Sequence, residues 1–371
     1  MTTDTAARPA LALQGWDSLE FWVGNARTTA GFLMSAFGFH CTAYAGPETG
    51  TPGRASYVLE QGAIRFVVTG ALDADSPIAE HVRRHGDGVH DLAWLTDDVA
   101  GAYAEATARG ARGVRAPWTD EDANGPLELA QVATFGETVH TFVGRRRFHG
   151  NVLAPGYAAD GVPATTVGPD VGLLEIDHVV GNVDKGTLDR WVAFYRDVFG
   201  FVSLQEFDQE QIRTEYSALR SVVVSNGDGI TMPLNEPADG LKRSQIQEYL
   251  DTYDGPGVQH IALRTDDIVA TVAALRARGV RFMTVPDTYY DDAKQRLAGH
   301  DLPWDDLQRL SILADEDHGG YLLQIFTETI TDRPALFIEI IERRGAQGFG
   351  EGNFKALFEA IERDQARRGN L

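Results

Sequence analysis

Cysteine is nearly absent from this chain of 371 residues: Cys41 stands alone. An internal disulfide and a cysteine-built zinc site are both excluded, so any metal must rest on histidine, aspartate or glutamate. No stretch approaches the roughly 18 consecutive apolar residues of a membrane span, and no membrane partner is expected. Met1 to Pro9 lack a basic segment followed by an apolar run and a small-residue cleavage site. No secretory signal is therefore expected, and the cytoplasm is the expected compartment. Basic residues are scarce: 33 Lys and Arg face 54 Asp and Glu, a formal charge of −21. That balance repels a phosphate backbone unless a basic stripe is segregated, and only the short clusters Arg145-Arg146-Arg147 and Arg343-Arg344 are basic. Nucleic acid is not an expected partner. The 43% hydrophobic and 23% charged fractions are those of an ordinary globular chain. The length suits two domains or one duplicated unit, each able to bury a core.

The chain repeats itself. Gly88-Val89-His90-Asp91-Leu92-Ala93, followed by Thr96-Asp97-Asp98, matches Gly257-Val258-Gln259-His260-Ile261-Ala262, followed by Thr265-Asp266-Asp267. Both continue into an Ala-rich amphipathic run closed by Ala108-Arg109-Gly110 in one copy and Ala277-Arg278-Gly279 in the other, which implies strand, capped helix and strand twice. Phe21-Trp22-Val23-Gly24-Asn25 leads through a helix to Ala36-Phe37-Gly38-Phe39, as His178-Val179-Val180-Gly181-Asn182 leads to Val198-Phe199-Gly200-Phe201. Residues 144–170 are rich in Gly and Pro without periodicity and read as a linker. A boundary near residue 160 divides the chain into halves 1–160 and 161–371. Each half holds two units, Ser18 to Val68 and Val89 to Val143, then Leu174 to Leu234 and Gln259 to Ile341. The expected fold is α+β, with tandem βαβββ modules forming an open, curved, barrel-like sheet in each half and helices outside. The second half adds a helix around Ser244 to Thr252, an excursion from Pro286 to His318 and a C-terminal helix from Asn353 to Arg368. Phe354, Leu357, Phe358 and Ile361 form the buried stripe of that helix. The acidic turn Asp315-Glu316-Asp317-His318-Gly319-Gly320 lacks the spacing of a calcium loop.

Duplication offers an internal control. His178 aligns with Phe21, His260 with Asp91, and Glu339 with Thr141, so the first half lacks all three ionisable groups. Each sits in an apolar, strand-like run where an unpaired charge is costly. Alternation places His178 on one face with Leu174 and Ile176, and Glu339 on one face with Phe337 and Ile341. Two imidazoles and a carboxylate suit a non-haem Fe(II) site with open positions for substrate and oxygen. Glu342 is the other acidic candidate in that run; alternation sends it to the opposite face, but the residues alone leave the choice open. A lone strand histidine is more often a hydrogen-bonded core residue than a ligand. The remaining histidines, His40, His81, His85, His90, His140, His149, His300 and His318, lack matched partners and read as surface or structural.

The duplicated modules, the trio, and the strings Pro233-Leu234-Asn235-Glu236-Pro237, Ser244-Gln245-Ile246, Leu323-Gln324-Ile325-Phe326 and Gly348-Phe349-Gly350-Glu351-Gly352-Asn353-Phe354 resemble the 4-hydroxyphenylpyruvate dioxygenase family. The resemblance covers nearly the whole chain. It implies the vicinal oxygen chelate (glyoxalase-like) superfold and an enzyme of tyrosine breakdown that uses Fe(II) and O2, one iron per subunit. The implied reaction converts 4-hydroxyphenylpyruvate to homogentisate and CO2 without separate 2-oxoglutarate, because the substrate carries its own α-keto acid. Carried over, His178, His260 and Glu339 hold the metal. Ser221, Asn235, Gln245 and Gln324 meet the ring and its hydroxyl, and Phe326, Phe337, Phe349 and Phe354 wall the ring. The resemblance makes Gln259 a substrate contact, while strict alternation turns it away from the trio. Pro233, Gly350, Asn353 and Phe358 belong to a lid or supporting shell, the glycine run serving as its hinge. A homodimer or tetramer, assembled through the first half, is also implied. One departure is Phe337-Ile338, where the family carries two phenylalanines; Ile338 falls on the outer face.

Three other readings compete. Hydroxymandelate synthase looks similar over most of its length and uses the same substrate and iron, but hydroxylates the benzylic carbon. A metal-free binding module of the superfold has no use for a trio present in one half alone. An extradiol ring-cleaving dioxygenase needs an acid/base histidine beside the metal, and none is placed there.

Overall fold

The computed structural model describes residues 10–159, 168–208, 218–317 and 319–369, apart from the side chains at 351, 354, 355, 358, 364 and 368. The boundary near residue 160, His318 and the side chains of Phe354 and Phe358 lie outside what is described. The first unit runs β1 (Trp16–Val23), α1 (Ala26–Phe37), β2 (His40–Ala45), β3 (Arg54–Gln61) and β4 (Ile64–Ala71). After α2 (Pro77–His85) come β5 (Gly88–Leu95), α3 (Val99–Ala108), β6 (Gly113–Asp122), β7 (Gly125–Ala133) and β8 (Val139–Gly144). The third unit is β9 (Leu173–Asn182), α4 (Leu188–Phe194), β10 (Val202–Phe207), β11 (Ala218–Ser225) and β12 (Thr231–Ala238). It is followed by α5 (Gln245–Tyr253). The fourth is β13 (Gly257–Thr265), α6 (Ile268–Ala277), α7 (Thr288–Arg296), α8 (Trp304–Leu310), β14 (Leu313–Asp317), β15 (Gly320–Phe326) and β16 (Phe337–Arg344), with α9 (Glu351–Arg368) behind it. The excursion after Pro286 thus consists of α7, α8 and β14.

The duplication is carried into the sheets, each of eight strands: β2-β3-β4-β1-β5-β8-β7-β6 in the first half and β10-β11-β12-β9-β13-β16-β15-β14 in the second. Matching acidic caps start the matching helices. Asp98 accepts from Gly101 N at 2.8 Å and Asp267 from Ala270 N at 2.9 Å, each filling an amide the first helical turn leaves unpaired. One core joins the halves, with Leu92 and Trp94 of β5, Ile261 and Leu263 of β13 and Leu275 of α6 in one cluster. Among the described residues no helix is long and apolar enough to cross a membrane.

Two expectations from alternation and alignment need correction. The β9–β13 ladder pairs Ala262 with His178 and Leu263 with Ile176, passing over Asp177. This bulge turns Ile176 away from His178 and into the main core beside Val179 and Leu263. The register also gives Ser18, not Phe21, as the counterpart of His178: Ser18 pairs with Ala93 as His178 pairs with Ala262. Matching the Gly-Asn pairs at the strand ends misplaced the alignment, because the strands enter their helices through connections of different length. Phe21 is a core residue packed edge-on against Phe66. The first half still lacks the trio.

Candidate active site

Three neighbouring strands deliver the trio. His178 on β9, His260 on β13 and Glu339 on β16 are at most 5% exposed and form a group able to hold a metal ion. His178 Nε2 and His260 Nε2 each lie 3.2 Å from the same oxygen, Glu339 Oε2. The second Glu339 oxygen is occupied, accepting from Gln324 Nε2 at 2.7 Å. Glu342 faces the other way and accepts from Ile268 N at 2.8 Å at the start of α6, so Glu339 is the glutamate grouped with the two histidines.

The other ring nitrogens are anchored. His178 Nδ1 is 2.7 Å from Asp177, whose carboxylate also accepts two bonds from Arg343 at 2.7 and 2.8 Å. His260 Nδ1 donates to Gln259 Oε1 at 2.9 Å. Such partners fix the tautomer and leave each Nε2 lone pair for a metal. Gln259 takes part because the β9–β13 ladder passes over it, pairing Val258 with Gly181 and His260 with Val180. This bulge turns Gln259 to the same cavity as His260, against strict alternation. Burial alone would depress the His178 pKa, yet the Glu339 carboxylate and Asp177 outweigh it and push it up to about 9. Burial alone would raise Glu339, and the two imidazoles hold it at about 2 instead. The site is therefore built around a buried carboxylate that demands a cation, a demand a metal meets by displacing a proton.

Beside the trio lies a cavity whose walls include Val180, Leu219, Pro233, Asn235, Gln245, Gln259, Gln324, Phe326, Phe349 and Leu357. Phe337 stacks on His260 with centroids 4.7 Å apart, and Phe349 meets His178 edge-on at 4.9 Å. Asn235 in that wall belongs to a row of polar groups across three strands: Ser221 pairs with Asn235, and Asn235 with Asn182. All three are at most 2% exposed, and Ser221 Oγ, Asn235 Oδ1 and both amide atoms of Asn182 have no hydrogen-bond partner in the protein. Buried polar atoms without partners are expensive unless a ligand satisfies them. Gln324 stands between the trio and the C-terminal helix. It lines the cavity, but its amide is committed at both ends, donating to Glu339 and accepting from Asn353 Nδ2 at 2.9 Å.

The first half has the cup without the ligands. Asp91 and Thr141, the counterparts of His260 and Glu339, satisfy one another: Thr141 N donates to Asp91 at 3.1 Å and its hydroxyl to the second carboxylate oxygen.

Comparison with known proteins agrees with this geometry. The profile of the Glyoxalase/Bleomycin resistance protein/Dioxygenase superfamily matches residues 175–325. A 4-hydroxyphenylpyruvate dioxygenase of Yarrowia lipolytica is 45% identical, covering 96% of this chain and 94% of its own. One from Aspergillus fumigatus is 46% identical, covering 100% and 97%. The chain belongs to the 4-hydroxyphenylpyruvate dioxygenase family. Among solved structures, a variant of 4-hydroxymandelate synthase from Streptomyces coelicolor superposes with a TM-score of 0.85 at 38% identity, covering 96% of this chain and 100% of that one. The chain is thus an enzyme, and a His/His/Glu group in a dioxygenase family points to a metal cofactor.

In this family member the glycine-rich tail is docked against two aspartates. Asp317 accepts from Gln347 N at 2.9 Å and Gly348 N at 2.6 Å, and Asp315 from Gly352 N at 2.7 Å and Asn353 N at 3.2 Å. A Cβ at Gly348 would stand 2.5 Å from Asp317 Oδ1 and displace the carboxylate that holds the tail, and Gly350 holds φ at 65°, a conformation that favours glycine. The acidic turn that spacing could not explain is thus the anchor of α9. Asp315, Asp317, Asp177, Arg343 and Asn182 were not recognised from sequence. Asn182 alone left a signal, since it shares the two-residue alternation of His178 and Val180.

Proposed function

We propose that this chain is an Fe(II)-dependent dioxygenase of tyrosine catabolism that converts 4-hydroxyphenylpyruvate and O2 to homogentisate and CO2. The observation that carries the reading is the pair of imidazole nitrogens, each 3.2 Å from one oxygen of a buried carboxylate, in a chain about 45% identical to dioxygenases of that name. His178, His260 and Glu339 would hold the iron, which would supply the redox chemistry with O2; the substrate carries its own α-keto acid, so no separate 2-oxoglutarate is needed. Asp177 and Gln259 hold the imidazoles in the ligating tautomer, and Gln324 keeps Glu339 aimed at them. Ser221, Asn235 and Asn182 receive the phenol hydroxyl, whose donor and acceptor capacity suits their unpaired atoms. Phe337, Phe349 and Phe326 fix the ring plane, Pro233 and Gln245 complete the wall, and α9 with Asn353 excludes water. In this reading the first half is structural, and the enzyme works in the cytoplasm as a homodimer or tetramer; light scattering on the purified protein checks the latter.

The test is anaerobic Fe(II) reconstitution followed by oxygen uptake with 4-hydroxyphenylpyruvate and identification of the product by mass. Homogentisate supports the proposal. Hydroxymandelate would assign the synthase reaction, the activity named for a relative of the same fold at 38% identity, against about 45% for the dioxygenases. Absence of uptake would reject both.

A further inference from the structure

The first half carries a second set of metal-type ligands that the dioxygenase reaction does not use. His81 and His85 stand four residues apart on α2 and so share one face of the helix. Glu137, in the turn between β7 and β8, reaches the same place. His85 Nε2 lies 3.1 Å and His81 Nδ1 3.9 Å from one oxygen, Glu137 Oε2. A tetrahedral zinc with bonds of about 2.0–2.1 Å separates its ligand atoms by about 3.3 Å. The spacing therefore resembles that of the catalytic trio, whose two imidazoles lie 3.2 Å from their shared oxygen.

The protons point the same way. His85 Nδ1 is 2.5 Å from the carbonyl oxygen of Tyr253, which can only accept, so Nδ1 carries a hydrogen and Nε2 is the free ligand atom. Despite its proximity to Glu137, His85 Nε2 makes no hydrogen bond, and neither ring nitrogen of His81 has a partner. Both rings are buried, at 3% and 2% exposure, where an unpaired imidazole nitrogen is costly. Glu137 is oriented by Arg84, which donates to Oε1 at 2.6 Å and leaves Oε2 turned to the histidines. Arg84 also donates to Asp254 at 2.7 Å, and His85 stacks on Tyr253 with centroids 4.6 Å apart, so the cluster abuts the end of α5.

We propose that His81, His85 and Glu137 form a second divalent-metal site of the zinc class, separate from the catalytic centre, that clips α2 to the turn between β7 and β8 beside the end of α5. Two imidazoles and one carboxylate select a borderline transition metal over calcium or magnesium, with a fourth position open to water.

The test counts metals on the full-length chain. Wild type, Glu137→Gln, Glu339→Gln and the double variant are loaded anaerobically with Fe(II), dialysed against Zn(II) and analysed by plasma mass spectrometry. The expected total is two equivalents per chain for wild type, one for either single variant and none for the double. Zn(II) should also raise the melting temperature of Glu339→Gln but not that of the double variant. The site is overturned if Glu137→Gln holds as much metal as wild type, or if wild type holds one equivalent that Glu339→Gln loses. Glu137 is 45% exposed, so its replacement should leave folding and oxygen uptake intact. Loss of metal in Glu339→Gln reports on the catalytic centre alone, which keeps the two readings distinguishable.

Discussion

Asn353 on α9 donates its side-chain amide to Gln324 Oε1 at 2.9 Å, and this bond ties the C-terminal helix to the catalytic trio. Gln324 passes the constraint to Glu339, while Asn353 accepts from the Tyr289 hydroxyl at 2.7 Å. Replacing Asn353 by alanine lets the Gln324 amide rotate and frees Glu339 to swing. Metal affinity or turnover should fall about 10- to 100-fold, as for other outer partners of metal ligands. Fe(II) titration and oxygen uptake measure the two separately.

Glu339 and Glu342 separate ligand from cap. Glu339→Ala should abolish metal binding and oxygen uptake with the far-ultraviolet circular dichroism unchanged. Glu342→Ala should keep turnover and lose about 1 kcal/mol of stability, the usual worth of a helix-start acceptor. Retained uptake in Glu339→Ala would mean that another carboxylate is the ligand.

Ser221 should show a trade between stability and function. Its buried hydroxyl lacks a partner in the protein, so Ser221→Ala should leave stability unchanged or raise it by up to about 1 kcal/mol. The same change should raise KM for 4-hydroxyphenylpyruvate several-fold. A drop in stability would show that the hydroxyl is already satisfied in the folded protein.

Asp91 makes the first half sensitive to pH. Burial raises its carboxyl to about 7, against the bonds from Thr141 that favour the charged form. A carboxyl whose folded pKa exceeds its unfolded value near 4 binds a proton more tightly when folded. Stability therefore falls as pH rises from about 4 to about 7, and the penalty is complete above that. Asp91→Asn should be more stable than wild type at pH 8, by an amount on the order of 2 kcal/mol, with the difference fading toward pH 4. Urea melts across that range check the sign, and iron content should not change.

The parts of the molecule legible in the sequence were those that repeat or that break a repeat. The four units and the absence of the trio from the first half followed from comparing the chain with itself. Local backbone irregularity was not legible. The ladder passes over Asp177 and Gln259, and each bulge turned a neighbour to the face opposite the one alternation assigns. Contacts between distant segments were equally hidden. Asp315 and Asp317 read as a loop because their partners are backbone amides of residues 347–353, which have no signature of their own. His81 and His85 lie on α2, which falls between the units that repeat visibly, so self-comparison did not bring them out.

The order of the ligands along the chain bears on when a metal can be captured during synthesis. His178 and His260 leave the ribosome first and sit on strands that pair directly. Glu339 follows only after α6, α7, α8, β14 and β15, and its strand then inserts in parallel beside β13. Until that long-range pairing forms, an arriving metal meets two imidazoles and no carboxylate, so loading belongs after the sheet is complete. A chain halted after β16 would own all three ligands while lacking Asn353 and Leu357: it could load metal, but with one wall of the chamber open to solvent.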